Sequence, residues 1–190
     1  MKKIFVLTYQ PKEKSDKEVY LNTFIEESKK AGNEVRFLNI DDIEVDYLKF
    51  ENNLPTKDLT LELKEAQDNI IWADQLVLVY SVWCMGVPAK LKSFIERVLQ
   101  EDVVVGYGKM GPEPILKNKS MVLMQSYAMP KFGMKYFYND LTYKFVKIVF
   151  ESWCGFKIVK RFDIDLTENI PEKNHKKFIS EIQKFCSKNK

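Results

Sequence analysis

Histidine, cysteine and glycine are scarce in this 190-residue sequence, and each scarcity removes a class of function. The single histidine, His175, and three widely spaced cysteines, Cys84, Cys154 and Cys186, do not make the ligand spacing of a zinc site. An odd number of thiols fits no disulfide framework either, and it points to a reducing, cytoplasmic compartment. No Gly-rich phosphate fingerprint is present among the seven glycines. No apolar run approaches the roughly 20 residues of a membrane span, so membrane insertion is not expected. The start Met1-Lys2-Lys3 precedes an apolar run of strand length with no small-residue cleavage site, and it reads as a first strand rather than a signal peptide. Excess charge is missing too. The 30 basic residues are interleaved with 27 acidic ones, which describes a solvated surface and not a nucleic-acid patch.

What is present is 45% hydrophobic and 30% charged residues, the composition of a soluble globular protein. The length suits one full core, and no linker divides residues 1–190, so a single domain is expected. Lys3–Thr8 is a short apolar, β-favouring run. A helical pattern then runs through Val19, Leu21, Phe24 and Ile25 to a stop at Gly32-Asn33. Glu34–Asn39 reads as a strand, Asp58–Trp72 as a helix, and Gln75–Tyr80 as a strand apolar enough to be buried on both faces. Pro88–Leu99 reads as a helix with proline in its first turn. Beyond a looser stretch, Gln100–Lys119, come a strand at Ser120–Gln125, a long aromatic-rich helix at Lys135–Trp153 and a strand at Phe156–Asp163. In the last helix Phe178, Ile182 and Phe185 recur at helical spacing, and His175 is expected at its surface.

Five β-α repeats imply an α/β fold whose parallel strands are joined by right-handed crossovers, with helices on both faces. The commonest order for five such strands is 2-1-3-4-5, and ligands of such sheets bind outside the carboxyl ends of strands one and three. The loops that matter are therefore Thr8–Asp16 and Ser81–Val87. The first carries Lys12, Lys14 and Ser15 ahead of a helix whose free amides attract phosphate. An ordinary solvated loop with Ser15 or Asp16 as helix cap fits the same residues. In the second, Trp83 stands just past a buried strand. Burial alone does not call for an indole there and a flat aromatic ligand would suit it, although a loop residue folding back on the core fits the same position.

Around that loop a resemblance becomes specific. Ala73-Asp74, the apolar strand Gln75–Tyr80, then Trp83, Pro88-Ala89-Lys90-Leu91-Lys92 and Arg97-Val98 resemble the signature of the flavodoxin-like NAD(P)H:quinone oxidoreductases. Trp153-Cys154-Gly155-Phe156 is similar to that family's Cys-Gly-Phe before the last strand. The resemblance implies a flavodoxin-like fold and a homodimer with an active site at each subunit boundary. It implies bound FMN, or FAD, and two-electron hydride transfer from NADH or NADPH to quinone-like, nitro or azo acceptors. It assigns Ser81, Val82, Trp83, Cys84, Met85 and Gly86 to the flavin ring, and Tyr9, Lys12, Ser15 and Lys17 to the flavin phosphate. Tyr107, in Val105-Gly106-Tyr107-Gly108, matches the segment that closes over the site. The family's Thr-Thr-Gly-Gly turn after strand four stands here as Gln125-Ser126-Tyr127-Ala128, which offers Gln125, Ser126 and Tyr127 side chains in place of glycine amides. Tyr107 and Tyr127 are the expected proton donors to substrate. An electron carrier and a regulatory ancillary subunit are the alternatives on the same fold.

Overall fold

A computed structural model describes residues 1–10, 16–165 and 170–189, with only the backbone of Asp16, Lys17 and Asp165. Five parallel strands form the central sheet: β1 (Lys3–Tyr9), β2 (Glu34–Asn39), β3 (Gln75–Ser81), β4 (Lys119–Tyr127) and β5 (Phe156–Asp165), in the order 2-1-3-4-5. Helices follow and separate them: α1 (Asp16–Lys30), α2 (Leu61–Trp72), α3 (Ala89–Val98), then α4 (Lys131–Tyr136) and α5 (Leu141–Val146), with α6 (Glu172–Lys188) last. Side chains alternate across the pleat, and β1 shows the result. Phe5 and Leu7 pack with Leu63 of α2 and Phe94 of α3, whereas Ile4 and Val6 pack with Phe24 of α1 and Ile182 of α6. Helices thus cover both faces. The first six residues of β3 are all buried, as its unbroken apolar sequence requires.

The helix starts follow local chemistry. Thr60 caps α2, its hydroxyl accepting from the Leu63 amide at 3.3 Å. The helix therefore opens at Leu61, the first residue of its apolar stripe, and not at the expected Asp58. Pro88 stands just ahead of α3. Buried Arg97, at the end of α3, ties down the segment after β2: it pairs with Asp46 at 3.0 Å and donates to the Thr56 carbonyl at 3.2 Å. The stretch Gln100–Lys119 is less loose than expected. It contains an antiparallel ribbon, Val105–Gly108 with Gly111–Pro114.

Two expectations are corrected. The single helix over Lys135–Trp153 is instead α4, a break, and α5 running on into a π-helical turn, Lys147–Trp153. Asn139 and Asp140 at the break have φ of 52° and 53°. No right-handed helix contains that conformation, and Asn and Asp tolerate it best. The turn expected at Gln125–Ala128 begins only at Ala128. Gln125 and Ser126 pair with Tyr80 and Ser81 of β3, and Gln125 to Tyr127 pair with Asp163 to Asp165 of β5, so β4 stays extended between two neighbours. At the edge, β5 carries a bulge opposite Met121/Val122, where Val159 is the extra, half-exposed residue. His175 is only half-exposed and shares a hydrogen bond with the buried Tyr20 hydroxyl.

Candidate functional site

The carboxyl ends of β1, β3 and β4 lie side by side, Tyr9 opposite Tyr80 and Ser81 opposite Ser126. The two serine hydroxyls meet at 2.9 Å and the Val82 amide bonds the Ser126 carbonyl at 2.8 Å, locking the exit of β3 to β4. Directly beyond comes a tight turn. Trp83 N–H bonds Gly86 C=O at 3.1 Å and Gly86 N–H bonds Trp83 C=O at 2.8 Å, which leaves Cys84 and Met85 at its tip with φ of 46° and 61°. Two successive left-handed residues are the mark of a type I′ turn, ordinarily built from Asn and Gly. Of the eight non-glycine residues with positive φ among those described, six are Asn or Asp, and Cys84 and Met85 are the other two. Each costs on the order of 1–2 kcal/mol in that conformation, and strain of this kind gathers at functional sites. Among the described residues the amides of Cys84 and Met85 have no hydrogen-bond partner. The Trp83 side chain is 66% exposed, as its sequence position suggested.

Two buried polar atoms near these strand ends also lack a partner among the described residues: Thr8 Oγ1 in β1 and Tyr127 Oη at the end of β4. A buried hydroxyl without a partner is costly, on the order of 1–3 kcal/mol. Burial, with the charge of Asp163, pushes the Tyr127 phenol well above its ordinary range, so it keeps its proton. Asp163 and Arg161 are thus felt at Tyr127 through their charge, without the geometry of a hydrogen bond. Gln125 is occupied, since its amide donates to Tyr80 Oη inside the core. Beside Tyr9 an open cleft of about 760 Å³ runs between the segment after β2 and the start of α3, lined by Val45, Tyr47, Lys49, Lys90 and Ser93. That volume falls within the range of small-molecule sites.

The structure brings together Tyr9, Ser81, Val82, Trp83, Cys84, Met85, Gly86, Ser126 and Tyr127 at one end of the sheet. Lys12 and Ser15 lie outside the described residues, and of Lys17 only the backbone, in α1, is described. Tyr107 is elsewhere. It lines a hollow with Leu99 and Gln100 at the carboxyl end of α3, whereas the Trp83 turn lies near that helix's start. The helix alone separates the two by about 15 Å at its ordinary rise per residue. Sequence reasoning missed Thr8 and Thr142. Thr142 in α5 donates to the Met85 carbonyl at 3.0 Å across a separation of 57 residues, for which no local pattern gives a signal.

The strained turn and the orphaned polar groups lie at the switch point of a doubly wound parallel sheet, the place where open α/β sheets bind their ligands. A family model described as flavodoxin-like fold matches residues 2–186, and the chain belongs to that family. Over 60 residues the chain is 37% identical to an uncharacterized NAD(P)H oxidoreductase of Haemophilus influenzae, covering 32% of this chain and 30% of that protein. Over 83 residues it is 29% identical to an FMN-dependent NADH:quinone oxidoreductase of Alcanivorax borkumensis, covering 44% of this chain and 40% of the other. The matched segments thus span less than half of these relatives. The structure is similar to that of an FMN-dependent NADH-azoreductase from Bacillus anthracis in complex with FMN, with a TM-score of 0.81, 17% identity, and coverage of 100% of this chain and 99% of the other. At that identity the likeness is one of fold. No helix among the described residues is long and apolar enough to cross a membrane.

Proposed function

We propose that this chain is an FMN-dependent oxidoreductase that carries electron pairs from NADH or NADPH to quinone-like or azo acceptors. The observation that carries this reading is the Trp83–Gly86 turn, two strained residues with unpartnered amides at the switch point of a flavodoxin-like sheet. The names of the relatives agree with it. FMN, when bound, supplies the two-electron chemistry. The protein's part is to bind, orient and exclude water. The amides of Cys84 and Met85 would donate to the polar edge of the ring, Trp83 would offer its flat face, and Ser81, Val82, Gly86 and Ser126 hold that turn in place. Thr8 Oγ1 and Tyr127 Oη, with no partners of their own, would gain them from the cofactor or substrate. Tyr9, Lys12, Ser15 and Lys17 are assigned to the phosphate end, where the start of α1 favours an anion. Tyr127, neutral at physiological pH, has a proton to donate to an acceptor oxygen. Three free thiols agree with a reducing cytoplasm.

Purified protein should be yellow, release FMN rather than FAD on heating, and consume NADH or NADPH with menadione as acceptor. Colourless protein that takes up neither flavin at micromolar concentration would defeat the assignment. Trp83→Ala should weaken FMN binding at least tenfold, which corresponds to about 1.4 kcal/mol. The melting temperature should barely move, because the exposed indole contributes little to the core. Unchanged affinity with a large loss of melting temperature would return Trp83 to a structural role.

The reading includes a homodimer. Between α3 and the π-helical turn runs an apolar trough of about 260 Å³ floored by Ile95, Leu99, Phe145, Ile148 and Trp153, and it adjoins the hollow that holds Tyr107. A second copy covering this trough would place Tyr107 at the subunit boundary, where the distance from Trp83 within one copy ceases to matter. Ile148 is half-exposed on the trough, so Ile148→Glu should leave the fold intact and weaken dimerisation at least a hundredfold, read by light scattering. A wild type that is monomeric at micromolar concentration sinks the dimer.

A further inference from the structure

The strained turn is held from outside by a chain of contacts that begins on the far edge strand. Arg161 of β5 forks onto Asp140, with Nη2 to Oδ1 at 2.9 Å and Nη1 to Oδ2 closer still, and its Nε reaches Asp163 at 2.6 Å. Its guanidinium lies 4.4 Å from the centre of the Tyr143 ring. Asp140 is the residue from which α5 starts. Two residues on, Thr142, buried in the same helix, gives its hydroxyl proton to the Met85 carbonyl at 3.0 Å. That carbonyl belongs to the same peptide unit as the Gly86 N–H, which closes the turn on Trp83 C=O at 2.8 Å. One peptide plane is therefore gripped at both ends, once from within the turn and once from α5. Gripping it fixes ψ of Met85, the second left-handed residue. A turn closed only by its own pair of hydrogen bonds would be free to exchange this conformation for the type I or open forms that L residues enter more easily.

We propose that Thr142 is a positioning residue for cofactor binding: by holding the Met85 carbonyl it keeps the Cys84 and Met85 amides aimed outward, and the Asp140–Arg161 pair sets where Thr142 stands. The inference rests on the assignment of the turn to flavin. Its geometric half is readable without any flavin, because Cys84 lies inside the turn and is exposed, while Cys154 and Cys186 are buried. Burial pushes the Cys154 thiol up to about 12 and raises that of Cys186 as well. Cys84 is therefore the thiol that reacts in the folded protein.

The experiment compares wild type, Thr142→Val and Thr142→Ser in three measurements: the rate of Ellman's reagent with the native thiol, the FMN dissociation constant of flavin-free protein, and the melting temperature. The valine variant keeps the shape and removes the donor; the serine variant keeps the donor. Thr142→Val should change the Cys84 rate at least threefold and weaken FMN at least tenfold, and Thr142→Ser should restore both to within twofold of wild type. Should the valine variant fail to fold, Thr142→Ala makes the same comparison with a better helix former. A Cys84 rate unchanged in the folded donor-less variant overturns the proposal, as does an equal loss in the serine variant. If wild type binds no FMN, the flavin assignment fails on its own, and the thiol rate still decides whether Thr142 sets the turn.

Discussion

Gly155→Ala should lower the stability of the protein by about 2–5 kcal/mol, the sum of a backbone cost on the order of 1–2 kcal/mol and overpacking of roughly 1–3 kcal/mol. Gly155 has φ of +96°, and a Cβ there would press into the carbonyl oxygen of Leu116 and stand 3.0 Å from Pro114 Cβ. The neighbour cannot step aside easily, because it is backbone and is itself pinned: the Leu116 amide donates to the Cys154 carbonyl at 3.1 Å. In a chain of this size the loss corresponds to a melting temperature lower by about 4–20 °C. Gly32 is the control. Its φ is +86° but nothing lies within 4 Å of the added methyl. Gly32→Ala should therefore show only the backbone part, about 1–2 kcal/mol. Equal melting temperatures for the two variants would mean that the crowding at Leu116 relaxes without cost.

Arg161→Met should cost about 3 kcal/mol, a melting temperature lower by roughly 6–12 °C. The side chain of Asp163 is only 1% exposed, and without the guanidinium it keeps Lys131 at 2.7 Å, while Asp140 loses both of its bonds to Arg161. The loss is the penalty of carboxylates left poorly compensated, larger than the net worth of the ion pair. Arg161→Lys should recover less than half of it, since one ammonium cannot fork across Asp140 and reach Asp163 together. A loss below about 1 kcal/mol for the methionine variant would show that water or Lys131 satisfies both carboxylates.

The layout of the sheet was legible because each strand announces itself locally. Gln75–Tyr80 is apolar at nearly every position, and only a strand covered on both faces needs that. The first and third helices are set off by Gly32 and Pro88, residues whose effect is confined to one turn, whereas the Thr60 cap that starts α2 two to three residues beyond the expected Asp58 went unread. Trp83 stood out for the same reason, an indole where a core has no use for one. What the sequence concealed depends on distant neighbours. Gln125, Ser126 and Tyr127 read as a turn by analogy, yet pairing keeps them extended, Gln125 and Ser126 between β3 and β5 and Tyr127 against β5. The aromatic spacing of 135–153 suggested one helix, and the Asn139-Asp140 pair that interrupts it is unremarkable until Arg161 is known to hold it. Thr142 and Met85 meet only because the fold closes a gap of 57 residues.

The bulge at Val159 bears on how the molecule behaves in company. The outer edge of β5 has backbone donors and acceptors with no strand beside them among the described residues, the arrangement by which sheets of separate molecules join edge to edge. One surplus residue twists that border out of register, and Lys157 and Lys160 along it place like charges where an incoming strand would have to lie. The border is thereby unfit for recruitment. In the dimer proposed above, copies would meet through the apolar trough beside α3 instead, and a pair closed in that way would leave no free border from which an open fibre could grow.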